Sequence, residues 1–448
     1  MGNVERPLDD AVLEVGRRLV AAMPSPAHHP MRAIDERTFD LAAENAQLRT
    51  ALLRFVDVAP ACRSLDELAS HLVGFLGDVR ERSVPLDAAM RLGDSKAGRV
   101  ALGTAAAAGV RHVAHRFIVG ETPQAAEKAL RSLWRDGVGA SVDLLGEATV
   151  TTAEADRYAR RCADALDALA KIYAELAPAP ALERDSIGPL PRVNLSVKVS
   201  ALTPLLRAQD PELGERDAAP RLRELLRRAR ELDAHLHVDM ESYDAREAVS
   251  ELVLDLLAED EFRAGPSAGV VLQAYLRDSP EQCEQIVEWA RRTPRARPLV
   301  VRLVKGAYWD HEVVEALQHG WRPPVFEDKA DCDRNFEDLT VRLLAARPAL
   351  RTAIASHNLR SVAHAIVVNE ASAADARDVE YQVLHGLGDD LARALAHEGY
   401  RVRAYCPVGD VVAGMAYLVR RLLENTANES FLFERASGRP LEELLAAP

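Results

Sequence analysis

The sequence predicts an α/β chain built on a (β/α)8 TIM-like barrel, and three observations lead there. From about residue 140, eight short β-branched or apolar runs appear, spaced as strands. Stretches rich in Ala, Leu, Arg and Glu separate them, and polar residues gather at the strand ends, as they do when one rim carries a site. An open doubly wound sheet shares the alternation, so at this point both architectures stand.

Residues 1–135 read as helices throughout, an N-terminal arm or cover, and 136–448 as the barrel. Phe39, Leu41, Leu48, Leu52 and Phe55 give a one-sided apolar face, and Ser64 to Glu67 spells a capping box. Thr122-Pro123 opens a further helix that Gly137 closes. The eight strands follow: Ser141–Leu145, Arg192–Val199, His235–Met240, Gly269–Tyr275, Leu299–Lys305, Arg351–Ser356, Val379–Leu384 and Tyr400–Tyr405. Arg221–Leu232 and Pro280–Arg292 are among the helices between them, and Ala177–Pro191, with its Ala-Pro repeats, reads as the most mobile connection.

Composition removes several function classes. A net charge of −13 over 448 residues argues against nucleic acid, which needs a basic face. Five cysteines, scattered and without a C-x-x-C, fit a reduced cytoplasmic protein with neither a disulfide framework nor zinc. The apolar stretch Val100 to Val110 falls well short of the roughly 20 residues a membrane span requires. No glycine fingerprint or Walker loop follows a strand, so a Rossmann-type or P-loop nucleotide site is not supported.

Strand five carries the chemistry. The run PLVVRLVKGAYWD places Arg302 in mid-strand and Lys305 at its end, and burying two cations without partners would cost several kcal/mol, roughly. Something anionic or strongly hydrogen-bonding should meet them. The plainer reading is an Arg tied to a buried carboxylate; the sharper one is a cofactor strand, with Gly306 and Ala307 allowing close approach and Tyr308 and Trp309 offering rings to stack. Other strand ends add Asp143, Glu147, Lys198, Ser200, Asp239, Glu241, Gln273, Tyr275, Ser356, His357, Asn358, Gln382, His385 and Tyr405. Lys198 is open to three readings: a Schiff-base lysine, a carboxylate or phosphate contact, or a solvated strand-end charge. His235 and His237 alternate with Asp239 on one face, a pattern like a metal pair; they precede the apolar end, however, and are read as structural residues near the barrel bottom.

Beyond strand eight, Tyr417, Arg420, Arg421 and Glu424 share one face of a helix, with Leu418 and Leu422 on the other. Two adjacent guanidinium groups suit a small carboxylate by bidentate pairing, and with the rim opposite them a carboxylate clamp is preferred to a solvated face.

The segments VRLVKGAYWD, NLSVKVSAL, VLQAYL, ASHN, QVLHGLG, YCPVG and YLVRRLLENTANESF, with the earlier RFIVGET and DLLGEA, together resemble the proline dehydrogenase module of proline utilization A. The resemblance runs in order from about Phe117 to Pro448, and the first hundred residues match only loosely. It implies a distorted (β/α)8 barrel holding FAD non-covalently at its rim, with the double-arginine helix over the active site. The implied reaction oxidises L-proline to Δ1-pyrroline-5-carboxylate, with hydride passing to flavin N5 and electrons to a quinone. By motif, Arg302 would lie near N5, and Lys305, Gly306 and Ala307 would hold the cofactor. Trp309 would lie by the adenine and Lys329 near the adenosine end. Met240, Gln273, Ser356, His357, Asn358, Gln382, Arg421, Glu424, Ser430 and Phe431 would add cofactor contacts. Lys198, Arg420 and Arg421 would grip the proline carboxylate; Tyr417, Tyr405, Asp239 and Leu303 would shape the pocket; Glu121 would pair with Arg420 to close it.

Three departures stand out: Cys406 where alanine is usual beside the pocket tyrosine, Ser242 where a second acid often follows Glu241, and Ser356 for threonine. No ribbon-helix-helix segment is visible, so DNA binding is not implied. The ending PLEELLAAP resembles the point where bifunctional relatives continue into an aldehyde dehydrogenase, which implies a pyrroline-5-carboxylate/glutamate-semialdehyde dehydrogenase partner, fused or separate. The expected location is cytoplasmic, peripheral at the inner membrane face for quinone reduction. Two competing readings are a metal-dependent or Schiff-base barrel acting on a small carboxylate, and a non-catalytic barrel that serves as a scaffold.

Overall fold

All eight expected strands form, and they close. In the computed structural model, which describes residues 5–24, 45–80, 84–410, 414 and 439–448, the strand order runs β1 to β8 and back to β1. They are β1 (Val138–Leu144), β2 (Asn194–Lys198), β3 (His235–Asp239), β4 (Ser267–Gln273), β5 (Leu299–Val304), β6 (Leu350–Ala355), β7 (Val379–Leu384) and β8 (Arg401–Val408). Every pairing is parallel, and Val138 to Leu144 match Val402 to Val408 residue by residue. This closure excludes the open doubly wound sheet.

The strands are buried on both faces, which is why they read as apolar runs. One face lines the lumen. There the side chains are polar: Ser141, Asp143, Asn194, Ser196, Lys198, His235, His237, Asp239, Arg302 and Arg403 are all buried. The other face meets the helices, and Val142, Leu195, Val197, Leu236, Val238, Val301, Leu303, Val402 and Ala404 join one hydrophobic core. Helix Thr152–Ala174 illustrates the outer layer. A capping box between Thr151 and Glu154 starts it, and Tyr158, Cys162, Leu166 and Leu169 face inward.

The N-terminal region divides. Helix Glu5–Ala22 packs on barrel helices Leu359–Ala371 and Asp389–His397, and its Val12, Val15 and Leu19 enter the barrel core. Asp9 pairs with buried Arg360 at 2.9 Å, and Arg360 also donates to the Leu445 carbonyl, tying both chain ends to one side of the wall. Helices Ala46–Val58 and Leu65–Gly77 pack through Ala51 and Leu76. Helix Lys96–Phe117 brings Phe117 against Leu145 and Leu387, with Leu384 and Tyr405 alongside, so its last turns lie at the C-terminal ends of β1, β7 and β8.

Three expectations need correction. Thr122-Pro123 starts a turn and not a helix, which begins at Glu127. The chain just before is held by β8: Val119 donates to the Pro407 carbonyl and Gly120 bridges Val408, so a turn must come first. Ser64 does cap Leu65–Gly77, but Glu67 reaches back to the Arg63 amide, not to that of Ser64. The Ala177–Pro191 connection is stitched down. Buried Asp185 accepts the Ile187 and Gly188 amides and two hydrogen bonds from Arg351, while Ser186 donates twice to Asp378. Its Ala-Pro composition reads as a linker, but these tertiary hydrogen bonds fix it over the barrel's N-terminal end.

Candidate active site

Period-two alternation carries the functional residues inward, and the strand register sets their height. Lys198 stands opposite Asp239, and Asp143 opposite Ser196. At the C-terminal mouth the Lys198 ammonium donates to Asp143 Oδ1 at 2.6 Å and lies 3.9 Å from Asp239 Oδ2. Asp239 is the hub. Its Oδ1 accepts from Arg302 Nη1 at 2.6 Å and its Oδ2 from the Tyr405 hydroxyl at 2.6 Å. Arg302 Nη2 also reaches Ser141 Oγ and Ser196 Oγ, both at 3.2 Å, and its guanidinium lies over the Tyr405 ring. Arg302 thus has the buried carboxylate that the plainer reading asked for, and that carboxylate stands at the rim.

The electrostatics follow. Burial opposes the Lys198 charge, but the Asp143 and Asp239 carboxylates overcome it and raise its pKa above that of an ordinary lysine. Burial raises the Asp143 carboxyl, with Asp239 and Glu147 adding to the effect against Lys198. Burial likewise raises Glu241, and it pushes Tyr405 well above the usual phenol range, helped by Asp143 and Asp239. Lys198 and Arg302 together balance Asp143 and Asp239. The described half of the mouth therefore carries no surplus positive charge for an incoming carboxylate.

A second cluster flanks the first. Lys305 and Lys329 both donate to Asp333 of helix Lys329–Ala345, two cations on one carboxylate. Burial would raise Asp333, but the two lysines lower it overall. Gly306 sits at φ +138°, and a Cβ there would come within 2.5 Å of the Tyr275 ring, so the chain passes closer than any other residue permits. Trp309 is 41% exposed and anchored by its indole N–H to the Phe326 carbonyl; Ala307 beside it is exposed.

The remaining predicted residues are placed as follows. Gln273 lines the lumen and donates to the Glu241 carbonyl, leaving its Oε1 buried without a partner among the described residues; Arg302 Nε is in the same condition. Ser356 Oγ accepts the Asn358 amide, Asn358 caps helix Leu359–Ala371, and His357 Nε2 accepts the Leu384 amide, so this trio shapes the loop after β6. Met240 is buried in the core beside β3. Glu121 is exposed, while Tyr417, Arg420, Arg421, Glu424, Ser430 and Phe431 lie outside the described residues.

Two expectations fail on geometry. Leu303 follows lumen-facing Arg302 and so points into the helical layer, where it is fully buried; it cannot line the mouth. Gln382 donates to Glu380 and lines a cavity at the barrel's other end. Cys406 also faces outward into the core, away from the pocket tyrosine's hydroxyl. The histidines are confirmed near the bottom: His235 bonds Ser267 at 2.8 Å and His237 at 3.0 Å. Ser141, Ser196 and Asp333 were not singled out, although the two serines could have been found by stepping back two residues from Asp143 and Lys198.

Comparison with known proteins agrees with this geometry. Residues 126–434 match the proline dehydrogenase family model and 9–117 the proline utilization A N-terminal domain. The chain is 34% identical over 348 residues to bifunctional protein PutA of Salmonella typhimurium, covering 76% of this chain and 25% of that protein. Against proline dehydrogenase 1 of Bacillus subtilis it is 30% identical over 333 residues, covering 74% of this chain and 92% of the relative. The crystal structure of proline utilization A from Bdellovibrio bacteriovorus, inactivated by N-propargylglycine, superposes with a TM-score of 0.89 at 34% identity, over 98% of this chain and 44% of that one. The chain thus spans about a quarter of the bifunctional curated relatives it matches. It belongs to the proline dehydrogenase family.

Proposed function

We propose that this chain oxidises L-proline to Δ1-pyrroline-5-carboxylate, with FAD bound non-covalently at the barrel mouth and a quinone as the final electron acceptor. The observation that carries the reading is the buried Lys198–Asp143 and Arg302–Asp239–Tyr405 network at the C-terminal strand ends of a family member.

The residues present fit a flavin dinucleotide. Gln273 Oε1 and Arg302 Nε are buried polar atoms awaiting partners at the rim. The Lys305–Lys329–Asp333 cluster has one positive charge in excess, suited to a diphosphate, and Gly306 lets the backbone approach. Ala307, Trp309, Met240, Ser356, His357 and Asn358 complete the described side of that cradle; Arg421, Glu424, Ser430 and Phe431 would complete the other. When bound, the flavin supplies a hydride acceptor for the proline carbon beside nitrogen.

The chain's own residues do the rest. Arg302 holds a fixed positive charge where reduced cofactor would develop negative charge, and Asp239 and the two serines keep its guanidinium oriented. Lys198 stays an ammonium, which suits a carboxylate contact and makes it a poor Schiff-base nucleophile. Because the described mouth is charge-balanced, binding the proline carboxylate needs further cations, and Arg420 and Arg421 are assigned that role, with Tyr417 shaping the pocket and Glu121 closing on Arg420. The product calls for a pyrroline-5-carboxylate/glutamate-semialdehyde dehydrogenase, fused or separate. Among the described residues no helix is long and apolar enough to cross a membrane; a cytoplasmic enzyme that meets its quinone peripherally fits the reading.

The test is optical. The purified protein should show flavin absorbance that L-proline bleaches under anaerobic conditions. A colourless protein, or a coloured one indifferent to proline, refutes the proposal.

A further inference from the structure

The lumen has a second polar region, at the N-terminal end opposite the mouth. A small cavity there, with room for one or two water-sized species, is lined by Asn194, His235, Ser267, Arg351, Glu380, Arg401 and Arg403, under Leu190 and Pro191 of the stitched-down loop. Charge in this layer does not balance. Arg351, Arg401 and Arg403 are all buried, and the carboxylates within reach among the described residues are Asp185 and Glu380, so three guanidinium groups face two acids.

The pairing is uneven as well. Arg351 spends Nε and Nη2 on Asp185, at 2.8 and 3.0 Å, and its buried Nη1 has no partner. Arg403 donates to Glu380 at 3.0 Å and to the Ala140 carbonyl at 2.9 Å. Arg401 is the surplus cation: its nearest carboxylate oxygens lie at 3.7 Å and 3.9 Å, and its buried Nε has no hydrogen-bond partner. His235 adds no further positive charge, since burial and the Arg403 charge lower its pKa to about 3 and keep it neutral. A buried guanidinium that must share carboxylates already held by other arginines is only partly neutralised, and a neutral water does not supply the missing charge.

We propose that this cavity binds one small monovalent inorganic anion, chloride in solution, between Arg351 and Arg401. The anion takes the unpartnered N–H groups, closes the charge balance and ties the loop carrying Asp185 to the barrel floor. The site shares no charged residue with the mouth, to which it connects only through neutral groups such as Asn194 and Ser141 Oγ, and the salt-dependent melt reads it separately from the proposed reaction.

The experiment is thermal melting of the full chain at constant ionic strength, with sodium gluconate exchanged stepwise for sodium chloride. For an anion bound only by the folded state, with a dissociation constant near 10 mM, Tm should rise by about 2 °C between 10 and 300 mM chloride. Arg401→Gln should abolish that rise while melting no lower than wild type in gluconate, because it removes the surplus charge. Bromide-soaked crystals of the wild-type protein should show an anomalous peak between the Arg351 and Arg401 guanidinium groups, which decides the matter even if the variant does not fold. Identical wild-type melts in the two salts, a chloride response that survives in Arg401→Gln, or no bromide peak at that position would each overturn the proposal.

Discussion

Asp239→Asn is the sharpest perturbation of the mouth. The change is isosteric, but it removes a charge that two groups use directly, Arg302 at 2.6 Å and Tyr405 at 2.6 Å, and that Lys198 feels at 3.9 Å. Lys198 then keeps Asp143, while Arg302 loses the carboxylate it pairs with. Leaving a buried cation without its counter-charge costs about 3–5 kcal/mol. With an unfolding entropy of about 2.1 cal/mol/K per residue over 448 residues, 1 kcal/mol corresponds to about 1 °C, so Tm should fall by about 3–5 °C. Tyr405→Phe loses one hydrogen bond to a charge, about 1.5–3 kcal/mol, and should fall by about 2–3 °C. Lys198→Met combined with Asp239→Asn restores the balance of one cation against one anion, and should therefore cost less than the sum of the two single changes. The assay is calorimetric melting beside dye-coupled proline oxidation, in which Asp239→Asn should lower kcat/KM by about a hundredfold. Should Asp239→Asn melt within about 1 °C of wild type, or cost less than Tyr405→Phe, Asp239 would not be the hub of this network.

Other expectations follow from the same geometry. Gly306→Ala, strained at φ +138° and driven against Tyr275, should lower flavin content per chain by more than half, roughly, read from the ratio of flavin to protein absorbance; full occupancy would count against the close approach. Arg420→Met or Arg421→Met should raise KM for proline by about tenfold or more with flavin retained, and unchanged kinetics in both would place the carboxylate elsewhere. Burial opposes the Glu380 charge, but Arg403 and Arg401 hold its carboxyl at about 2, below the ordinary 4.5. Its contribution is therefore complete above pH 4.5 and lost as pH falls toward 2, and Glu380→Gln should flatten that part of the acid denaturation curve. His235, neutral in the fold down to about pH 3 against an ordinary 6.5, makes stability decline as pH falls through that window, because the unfolded chain takes up the proton first. His235→Asn should remove its share of that decline, seen as a shallower slope of Tm against pH.

Much of the barrel was legible because its strands are buried on both faces. Double burial writes β-branched runs, and each run found its strand to within three residues. One of the two largest boundary misses is instructive. β8 continues through Cys406 and Pro407 to Val408 because β1 supplies partners Val142 to Leu144, and Pro407 gave a stop signal that pairing with β1 overrode. Arg302, Lys198, Asp239 and Tyr405 were legible as rim residues for a related reason: a charge at the end of an apolar run has to be met by something. Leu303 and Gln382 were misplaced because a motif conveys proximity along the chain, whereas a strand sends neighbours to opposite faces and a long amide can turn either way along the lumen.

What stayed hidden was the choice of partner. Nothing in the linear order says that Arg302 takes Asp239 from β3, that Lys305 takes Asp333 from a helix, or that Asp185, in a stretch composed like a linker, holds Arg351 across 166 positions. Those pairings depend on which strand ends share a level of the lumen, and the stagger of a closed sheet sets that level. The same stagger separates the charges into two storeys. At the mouth Lys198 and Arg302 are each met by a carboxylate, Asp143 and Asp239, which leaves an oriented frame without surplus positive charge. At the floor three guanidinium groups meet two carboxylates, leaving a surplus that no described residue answers. A buried imbalance at a rim is readily explained by a bound reactant; one at the opposite end of the barrel calls for a resident counter-ion.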